Sequence, residues 1–275
     1  MLNLVVCIKQ VPIVSELPWD SKTGTLRREL AEGMMNPSCK HALEAALQLA
    51  DQHNGKITVF SMGPLMAEEV LYEAVAMGAD RGVLLTDKRM AGADTHITSL
   101  ILARAIKKKC PDFDLVLCGD QTSDSETAQV GPQLAEELGI PGVANAEKLD
   151  LATHALCLER QTDDFLEILE MDLPGLVTIS PHYYVPRHVS LGGVQQAFDY
   201  PNVDTLGADD LGLDPGLVAL KHSPTKIIRV YSPATEKENI VLKGAVKKIV
   251  NELFTRFGDR IGGAMSKDLK THDHP

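Results

Sequence analysis

Residues 114–141 read DLVLCGDQTSDSETAQVGPQLAEELGIP. Leu115, Val116, Leu117 and Cys118 form an apolar run that stops at Gly119. Asp124, Ser125, Glu126 and Thr127 follow in a polar loop. Val130, Leu134 and Leu138 then recur on one face of a helix starting at Ala128. An unbroken apolar run is what a strand buried on both faces requires, and recurrence every three or four residues is that of an amphipathic helix. The stretch is therefore a strand, a hydroxyl-rich loop and a helix N-terminus in succession. Such a junction offers free backbone N–H groups and the positive end of a helix dipole to an anion. Ser, Thr and Asp are also ordinary capping residues, so the loop reads equally as a plain helix cap. It is neither a P-loop, lacking Gly-Lys-Ser/Thr, nor a GxGxxG turn. A phosphate here would be held by N–H groups and by Ser125 or Thr127, with Asp124 and Glu126 turned outward or toward a ribose.

The same unit recurs on the N-terminal side. Residues 2–8 are an apolar strand, and Asn36 or Ser38 caps a helix that buries Ala42, Ala45, Ala46, Leu49 and Ala50. Residues 56–62 are a second strand, 68–77 a helix ended by Gly78, and 81–86 a third strand. Asp94 or Thr95 caps a helix running to Lys109. Strands alternating with helices at this spacing predict an α/β fold: a Rossmann-like parallel sheet with helices on both faces. Right-handed crossovers put every post-strand loop on one edge, so the loops after Ile8, Met62 and Gly119 and the helix start at Asn36 share a crevice.

The pattern changes after Gly142. Residues 155–160 and 165–170 alternate in polarity around Thr162-Asp163-Asp164 and predict an antiparallel hairpin. Residues 175–180 form another buried strand. Residues 183–215 have little periodicity and read as an irregular connection or extended arm. A short strand over 226–231 and a helix over 238–257 follow, and the tail from Gly262 is expected to fray. No internal repeat is present. The organisation expected is a nucleotide-binding core over 1–182, a partner-recognition loop and arm over 183–225, and a C-terminal strand, helix and tail over 226–275.

A formal net charge of −11 argues against nucleic acid and against an anionic membrane surface. Five scattered cysteines without CxxC spacing read as a reduced, cytoplasmic protein, and Cys7, Cys118 and Cys157 sit in apolar runs as small core residues. No apolar stretch is long enough to span a bilayer, and Met1 leads directly into a strand rather than a signal peptide. Of nine histidines, only His182 and His188 lie near each other among polar residues, in HYYVPRHVS. They have no nucleophile or metal partner and read as solvated or partner-facing. Arg187 is either a carboxylate contact or a surface charge, and Lys107–Lys109 end a helix where cations suit the dipole. No GxSxG, HExxH, SxxK or supported acid pair appears, so a self-contained reaction centre is not expected.

A series of short motifs resembles the β subunit of electron transfer flavoprotein in order along most of the chain: VVCIKQVP (5–12), MNPSCKHALEAALQL (35–49), VFSMGP (59–64), AMGADRGVLLTD (76–87), DLVLCGDQTSDSETAQVGP (114–132), ERQTDDFLEILEMDLPGLVTIS (159–180), PRHVSL (186–191), ADDLGLD (208–214) and SPTKIIRVYSP (223–233). The resemblance implies a fold of the adenine-nucleotide-hydrolase-like type. It implies a heterodimer with an α subunit that binds a redox-active FAD, over which the β subunit closes, and a C-terminal arm embracing that subunit. It also implies a nucleotide in this chain: AMP, or in the electron-bifurcating branch a second FAD that accepts hydride from NADH. Carried over by position, the pocket comprises the Cys7 backbone, Asn36, Met62, Asp124, Ser125, Glu126, Thr127, Ala128, Gln129, Val130 and Gly131. Asn36 would bond the adenine or ribose, Gln129 the sugar or a ring edge. Leu191 is the anchor of the loop that docks a flavin-dependent dehydrogenase, in this family commonly an acyl-CoA dehydrogenase.

Residues 127–132 (TAQVGP) resemble the bifurcating branch. Two positions depart from the family pattern. Asp120 stands where many members carry a cation, and Gly192–Ala197 lack the basic character that follows the anchor, which admits a different dehydrogenase. The alternatives in other classes are a stand-alone adenine-nucleotide sensor and an ATP-using enzyme of the same fold; the long arm favours the electron-transfer subunit over the first, and the missing Lys-containing phosphate loop counts against the second.

Overall fold

β1 (Asn3–Ile8) has no solvent face. Leu4, Val6 and Ile8 join one apolar layer, Val5 and Cys7 the other. Such a strand needs helices on both sides of its sheet. The computed structural model, which describes residues 1–13, 19–20, 25–26, 32–152, 155–214, 223–225 and 240–271, supplies them. β1 is followed by two short antiparallel pairs, β2 (Gln10–Pro12) with β5 (Gly33–Met35) and β3 (Trp19–Asp20) with β4 (Thr25–Leu26). Helices and strands then alternate: α1 (Pro37–His53), β6 (Lys56–Met62), α2 (Glu68–Met77), β7 (Arg81–Leu85), α3 (Thr95–Lys109), β8 (Leu115–Gly119), α4 (Val130–Leu138) and β9 (Gly142–Ala146). β10 (Lys148–Leu151), β11 (Leu156–Gln161) and β12 (Leu166–Met171) form a separate antiparallel sheet of three strands. β13 (Gly175–Ile179) returns to the main sheet, and α5 (Leu191–Asp199) and β14 (Val203–Leu206) follow.

The main sheet has seven strands in the order β14-β7-β6-β1-β8-β13-β9, every pair parallel. Leu43, Ala46, Leu71 and Ala74 of α1 and α2 pack on one face; Ile101, Ile106 and Leu134 of α3 and α4 pack on the other. After β1 the chain goes through α1 to one side of the sheet; after β8 it goes through α4 to the other. β1 and β8 are direct neighbours, with Cys7 in register with Cys118. Their exits therefore diverge and leave a crevice, the place where open α/β sheets hold ligands.

The α/β reading with its parallel sheet holds, and four differences have physical causes. The hairpin gains a third strand, β10, and the main sheet gains β9, because polar GVANA and KLDL carry no apolar run to announce them. α4 begins at Val130 rather than Ala128, because Ala128 is left-handed (φ 55°). Residues 183–215 are not irregular throughout: α5 and β14 lie within them, both too short for a readable period. The last helix, α6 (Val246–Thr271), starts later than expected, behind Gly244 at φ 139°, and continues into the expected tail as far as Thr271. The strand expected at 226–231 lies outside the described residues. Chain contacts group residues Met1–Lys226 as one unit and Ile227–Pro275 as another. Within the second unit, α6 carries Val246, Val250, Leu253 and Phe254 at helical spacing and an Arg256–Glu252 ion pair at 2.7 Å.

Between β13 and α5 the chain is tied down at several points. Buried Tyr184 accepts the Leu149 N–H at 2.9 Å, and its carbonyl meets the His41 ring on α1. Arg187 grips Glu44 on α1, donating its backbone N–H at 3.0 Å, Nε at 2.9 Å and Nη2 at 3.2 Å, and reaches Asp51 at 3.0 Å. Ser190 caps α5 by accepting the Gly193 N–H at 3.0 Å. α5 lies on α2, with Phe198 stacked on Tyr72 at 5.7 Å; at Gly193 a Cβ would collide with the Ala76 carbonyl. Glu44 is 3% exposed. Burial alone would push its carboxyl up, but Arg187, aided by Gln48, holds it below the usual value.

Arg187→Ala would leave that buried carboxylate without its cation. Breaking a fully buried pair costs roughly 3–5 kcal/mol; with Arg187 one-third exposed, we expect about 2 kcal/mol at pH 7, read by urea unfolding. The pH trend separates this from generic damage. In the wild type, Glu44 stabilises above its unfolded pKa and loses that contribution as pH falls through the lower folded value. In the variant burial is opposed only by the Gln48 amide and the backbone N–H of residue 187, so the carboxyl rises from its wild-type value and the stability gap narrows between pH 7 and pH 4. A gap that stays constant over that range contradicts the assignment.

Candidate functional site

The crevice is built by a close approach. A Cβ at Gly119 would lie 2.7 Å from the Ser38 carbonyl carbon and 2.9 Å from the Cys39 nitrogen. Without it, the first turn of α1 rests on the exit of β8. The Asn36 N–H donates to the Lys9 carbonyl at 2.9 Å, which ties the exit of β1 to the same turn. From the Asn36 side chain, Nδ2 donates to the Gln121 carbonyl at 2.8 Å and Oδ1 accepts the Ser123 N–H at 3.0 Å. Lys9 Nζ donates to both Asp124 carboxylate oxygens, at 2.8 and 2.7 Å. Burial pushes the Asp124 carboxyl up, and the Lys9 ammonium more than reverses it, leaving the group below its ordinary range.

The loop then turns through two left-handed residues, Glu126 (φ 50°) and Ala128 (φ 55°). Its first bend is closed by the Glu126 N–H to the Thr122 carbonyl at 2.8 Å, and the Thr122 and Ser125 hydroxyls meet at 2.8 Å. A non-glycine residue in this region costs roughly 1–3 kcal/mol, and alanine, the best helix former, has no local reason to be there. The left-handed residue before helical Gln129 makes a concave run of N–H groups of the kind that binds anions. Among the described residues, no acceptor meets the N–H groups of Thr127, Ala128, Gln129, Val130 or Gly131. Thr127, Ala128 and Gln129 are exposed. Thr95 at the start of α3 donates to Gln129 Oε1 at 3.0 Å, which leaves the Gln129 amide N–H₂ as a donor. Gly131 is buried, and a Cβ there would collide with the Thr178 methyl of β13. These donors without a protein acceptor fit a phosphate.

Lys9 to Gly131 thus come together at one edge of the sheet. Cys7 is buried one residue inside the exit of β1, and Met62 is the half-buried last residue of β6, the next strand over. Asn36 is 1% exposed and its amide is fully engaged by the loop, so its side chain faces protein rather than base or ribose. Asp124 is held by Lys9, Ser125 by Thr122, and Glu126 is exposed. Asp120 accepts the N–H of its neighbour Gln121 at 2.7 Å. Leu191 lies elsewhere, as the first residue of α5, and is 91% exposed. Three residues that matter here were outside the site expected from sequence: Lys9, Glu44 and Arg187. Arg187 is a carboxylate contact; His182 and His188 are exposed. Lys107, Lys108 and Lys109 do more than answer a helix dipole, reaching the Glu137 carbonyl, the Asp210 carbonyl and the Asp204 carboxylate.

Two buried cysteines, Cys7 and Cys39, are held as thiols. The hydrogen bond Cys7 donates to Cys118, with burial, pushes Cys7 well above its usual value, and burial pushes Cys39 up to about 11 despite the Asn36 amide. Neither is a thiolate nucleophile. Among the described residues no cluster of His, Cys, Asp or Glu could hold a metal, and no helix is long and apolar enough to cross a membrane.

Comparison with known proteins gives one family. The sequence model described as the electron transfer flavoprotein domain matches residues 23–204. The electron transfer flavoprotein subunit beta of Thermoanaerobacterium thermosaccharolyticum is 43% identical over 259 residues, covering 94% of this chain and 99% of that protein. The caffeyl-CoA reductase-Etf complex subunit CarD of Acetobacterium woodii is 38% identical over 261 residues, 94% of this chain and 99% of its own. The acryloyl-CoA reductase electron transfer subunit gamma of Anaerotignum propionicum is 34% identical over 258 residues, 92% and 96%.

The close approach at Gly119 can be tested directly. Gly119→Ala forces backbone apart, and overpacking of this kind costs roughly 1–3 kcal/mol. It is expected to lower the unfolding midpoint and to open residues 120–129 to protease. Gly139→Ala is the control: at φ 73° with nothing within 4 Å of its Cβ, it pays only the left-handed penalty of about 1 kcal/mol and leaves the loop protected. Equal loop cleavage in both variants contradicts the role given to Gly119.

Proposed function

The chain belongs to the electron transfer flavoprotein family, as a homologue of its β subunits, and on that premise we propose that it works as the electron-transfer partner of an FAD-binding α subunit and holds an adenine nucleotide of its own in the β1–β8 crevice. The observation that carries the nucleotide reading is the left-handed turn at Glu126 and Ala128, which leaves the N–H groups of residues 127–131 without a protein acceptor. Those groups, with the Ser125 and Thr127 hydroxyls, would receive phosphate. The Gln129 amide N–H₂ would reach the sugar or a ring edge, and the Cys7 backbone and Met62 would line the floor. A flavin bound here supplies redox chemistry, whereas AMP supplies none and serves as structure.

The second FAD is the first reading. Residues 127–132, TAQVGP, support it. So does the disposition of two loop acids: Asp120 is turned to the Gln121 N–H and Asp124 is neutralised by Lys9, so neither is left bare before a diphosphate. AMP is the second reading, favoured by Glu126, an exposed carboxylate in the middle of the anion loop. No residue of this chain is assigned a bond-breaking role; its part is to bind, orient and exclude water.

The partner that exchanges electrons with the pair is read as a flavin-dependent dehydrogenase docking at α5. Leu191, 91% exposed, is the anchor. Residues 191–198, LGGVQQAF, carry no charge. The socket for such a surface is apolar and neutral rather than acidic, unlike one for a lysine-rich loop.

Two measurements test this. The chain is co-expressed with its α subunit and the nucleotides are released and weighed. Two FAD per pair without AMP is the expected result; one FAD and one AMP supports the second reading, and a stable homo-oligomer holding nucleotide without any flavin partner overturns the function itself. Leu191→Ala is expected to slow electron transfer to the dehydrogenase about tenfold or more, the scale of an interface anchor, without changing nucleotide content. An unchanged rate removes the anchor.

A further inference from the structure

Asn36 stands at the cap position of α1 and does not cap it. An asparagine there ordinarily accepts an N–H of the first turn. Here Oδ1 accepts the Ser123 N–H at 3.0 Å, while Nδ2 donates to the Gln121 carbonyl at 2.8 Å and to Cys39 Sγ at 3.4 Å. Its backbone is equally engaged: the N–H by Lys9, the carbonyl by the N–H groups of Cys39 and Lys40 at 2.9 and 3.2 Å. At 1% exposure, nothing on Asn36 is left for a ligand. The next residue along the loop, Asp124, is held by the second tie, the bidentate contact from Lys9. Both ties start from the β1 exit and α1 turn, and both end just before the left-handed turn at Glu126 and Ala128. An exposed loop does not keep two such residues left-handed unless its surroundings fix it.

We propose that Asn36 and the Lys9–Asp124 pair are positioning residues: they hold residues 120–126 so that the N–H groups of 127–131 stay turned to the phosphate, and they do not touch the nucleotide. This rests on the nucleotide reading above and names how that site is kept in shape. It also assigns Asp124 a role opposite in sign to its charge. By Coulomb's law alone, a carboxylate in an anion-binding loop weakens the site and its removal strengthens it. As the anchor for Lys9, its removal loosens the loop and weakens the site.

The test uses the full chain paired with its α subunit, stripped of nucleotide, and titrated with FAD, AMP and ribose 5-phosphate, which is AMP without its base. Asp124→Asn, a change of nearly equal size at a half-buried loop position outside the hydrophobic core, is expected to weaken AMP binding about tenfold. Lys9→Met is expected to do the same, and the double variant to be no worse than Lys9→Met alone. Asn36→Ala is expected to weaken AMP and ribose 5-phosphate by the same factor, since a loosened loop loses phosphate whatever the base. Tighter binding by Asp124→Asn, or an Asn36→Ala defect confined to AMP, overturns the positioning role while leaving the nucleotide site standing. A wild-type pair that takes up none of the three ligands removes the nucleotide reading and this proposal with it.

Discussion

The missing side chain at Gly119 is the constraint on which the site depends. With a Cβ at 2.7 Å from the Ser38 backbone, the first turn of α1 could not rest on the exit of β8. Because it does, Asn36 is buried where its amide spans the Gln121 carbonyl and the Ser123 N–H. Its own N–H meets the Lys9 carbonyl. The exits of β1 and β8 and the start of α1 are therefore one body rather than three loops. The position of that body is inherited from the parallel sheet, where Cys7 and Cys118 are in register. A ligand arriving at such a site finds donors already ordered, which removes a conformational cost that a free loop would charge against affinity.

A chain with net charge −11 that is to hold the proposed nucleotide must solve an electrostatic problem. Distance solves most of it, since exposed charges beyond a Debye length of about 8 Å are screened at physiological salt. The acids of the loop itself are handled one by one. Asp120 accepts its neighbour's N–H, and Asp124 is paired with Lys9 strongly enough to hold its carboxyl below the ordinary range despite burial. The attraction then comes from backbone N–H groups at contact distance and from the N-terminus of α4, dipoles that bring no formal charge. A site made this way is selective for geometry: it rewards an anion seated against the N–H concavity and gives little to one elsewhere on the surface.

How much of this was readable in the sequence follows from which interactions are local. β6 and α2 begin and end where periodicity and the stops at Gly63 and Gly78 put them, because apolar patterning and a helix end are set by near neighbours. The strand–loop–helix junction over 115–138 was legible for the same reason: a buried run, then hydroxyl residues, then a helix. What was not legible depends on contacts far apart in the chain. The side chain of Asn36 was expected to cap a helix or to meet a base, and it answers instead to residues 85 and 87 positions away. Arg187 read equally as a carboxylate contact or a surface charge until Glu44, 143 positions earlier, gave it a buried partner. Ala128 is written as the start of a helix, yet it is left-handed and the helix starts two residues later. β9, β10 and α5 are too short or too polar for periodicity to separate them from connection.

One helix is common to both working ends of the first unit. α1 starts just after Asn36, which bonds the loop at residues 121 and 123, and one to two turns further on it presents His41 and Glu44 to the segment leading into α5. At 1.5 Å per residue, Asn36 and Glu44 are about 12 Å apart along the axis. Ala42, Leu43, Ala45 and Ala46, buried between these points, fix the helix against the sheet, so it behaves as a rigid spacer. A rigid spacer transmits position, not charge. The carboxylate of Glu44 is cancelled by Arg187, and the amide of Asn36 is neutral, so neither end changes the field at the other. What α1 sets is where the proposed nucleotide loop and the uncharged face around Leu191 stand relative to the same sheet. For an electron carrier that is the quantity that counts, because transfer between bound groups falls steeply with their separation, while the proposed docking surface, being uncharged, gives no long-range pull to correct an error in it.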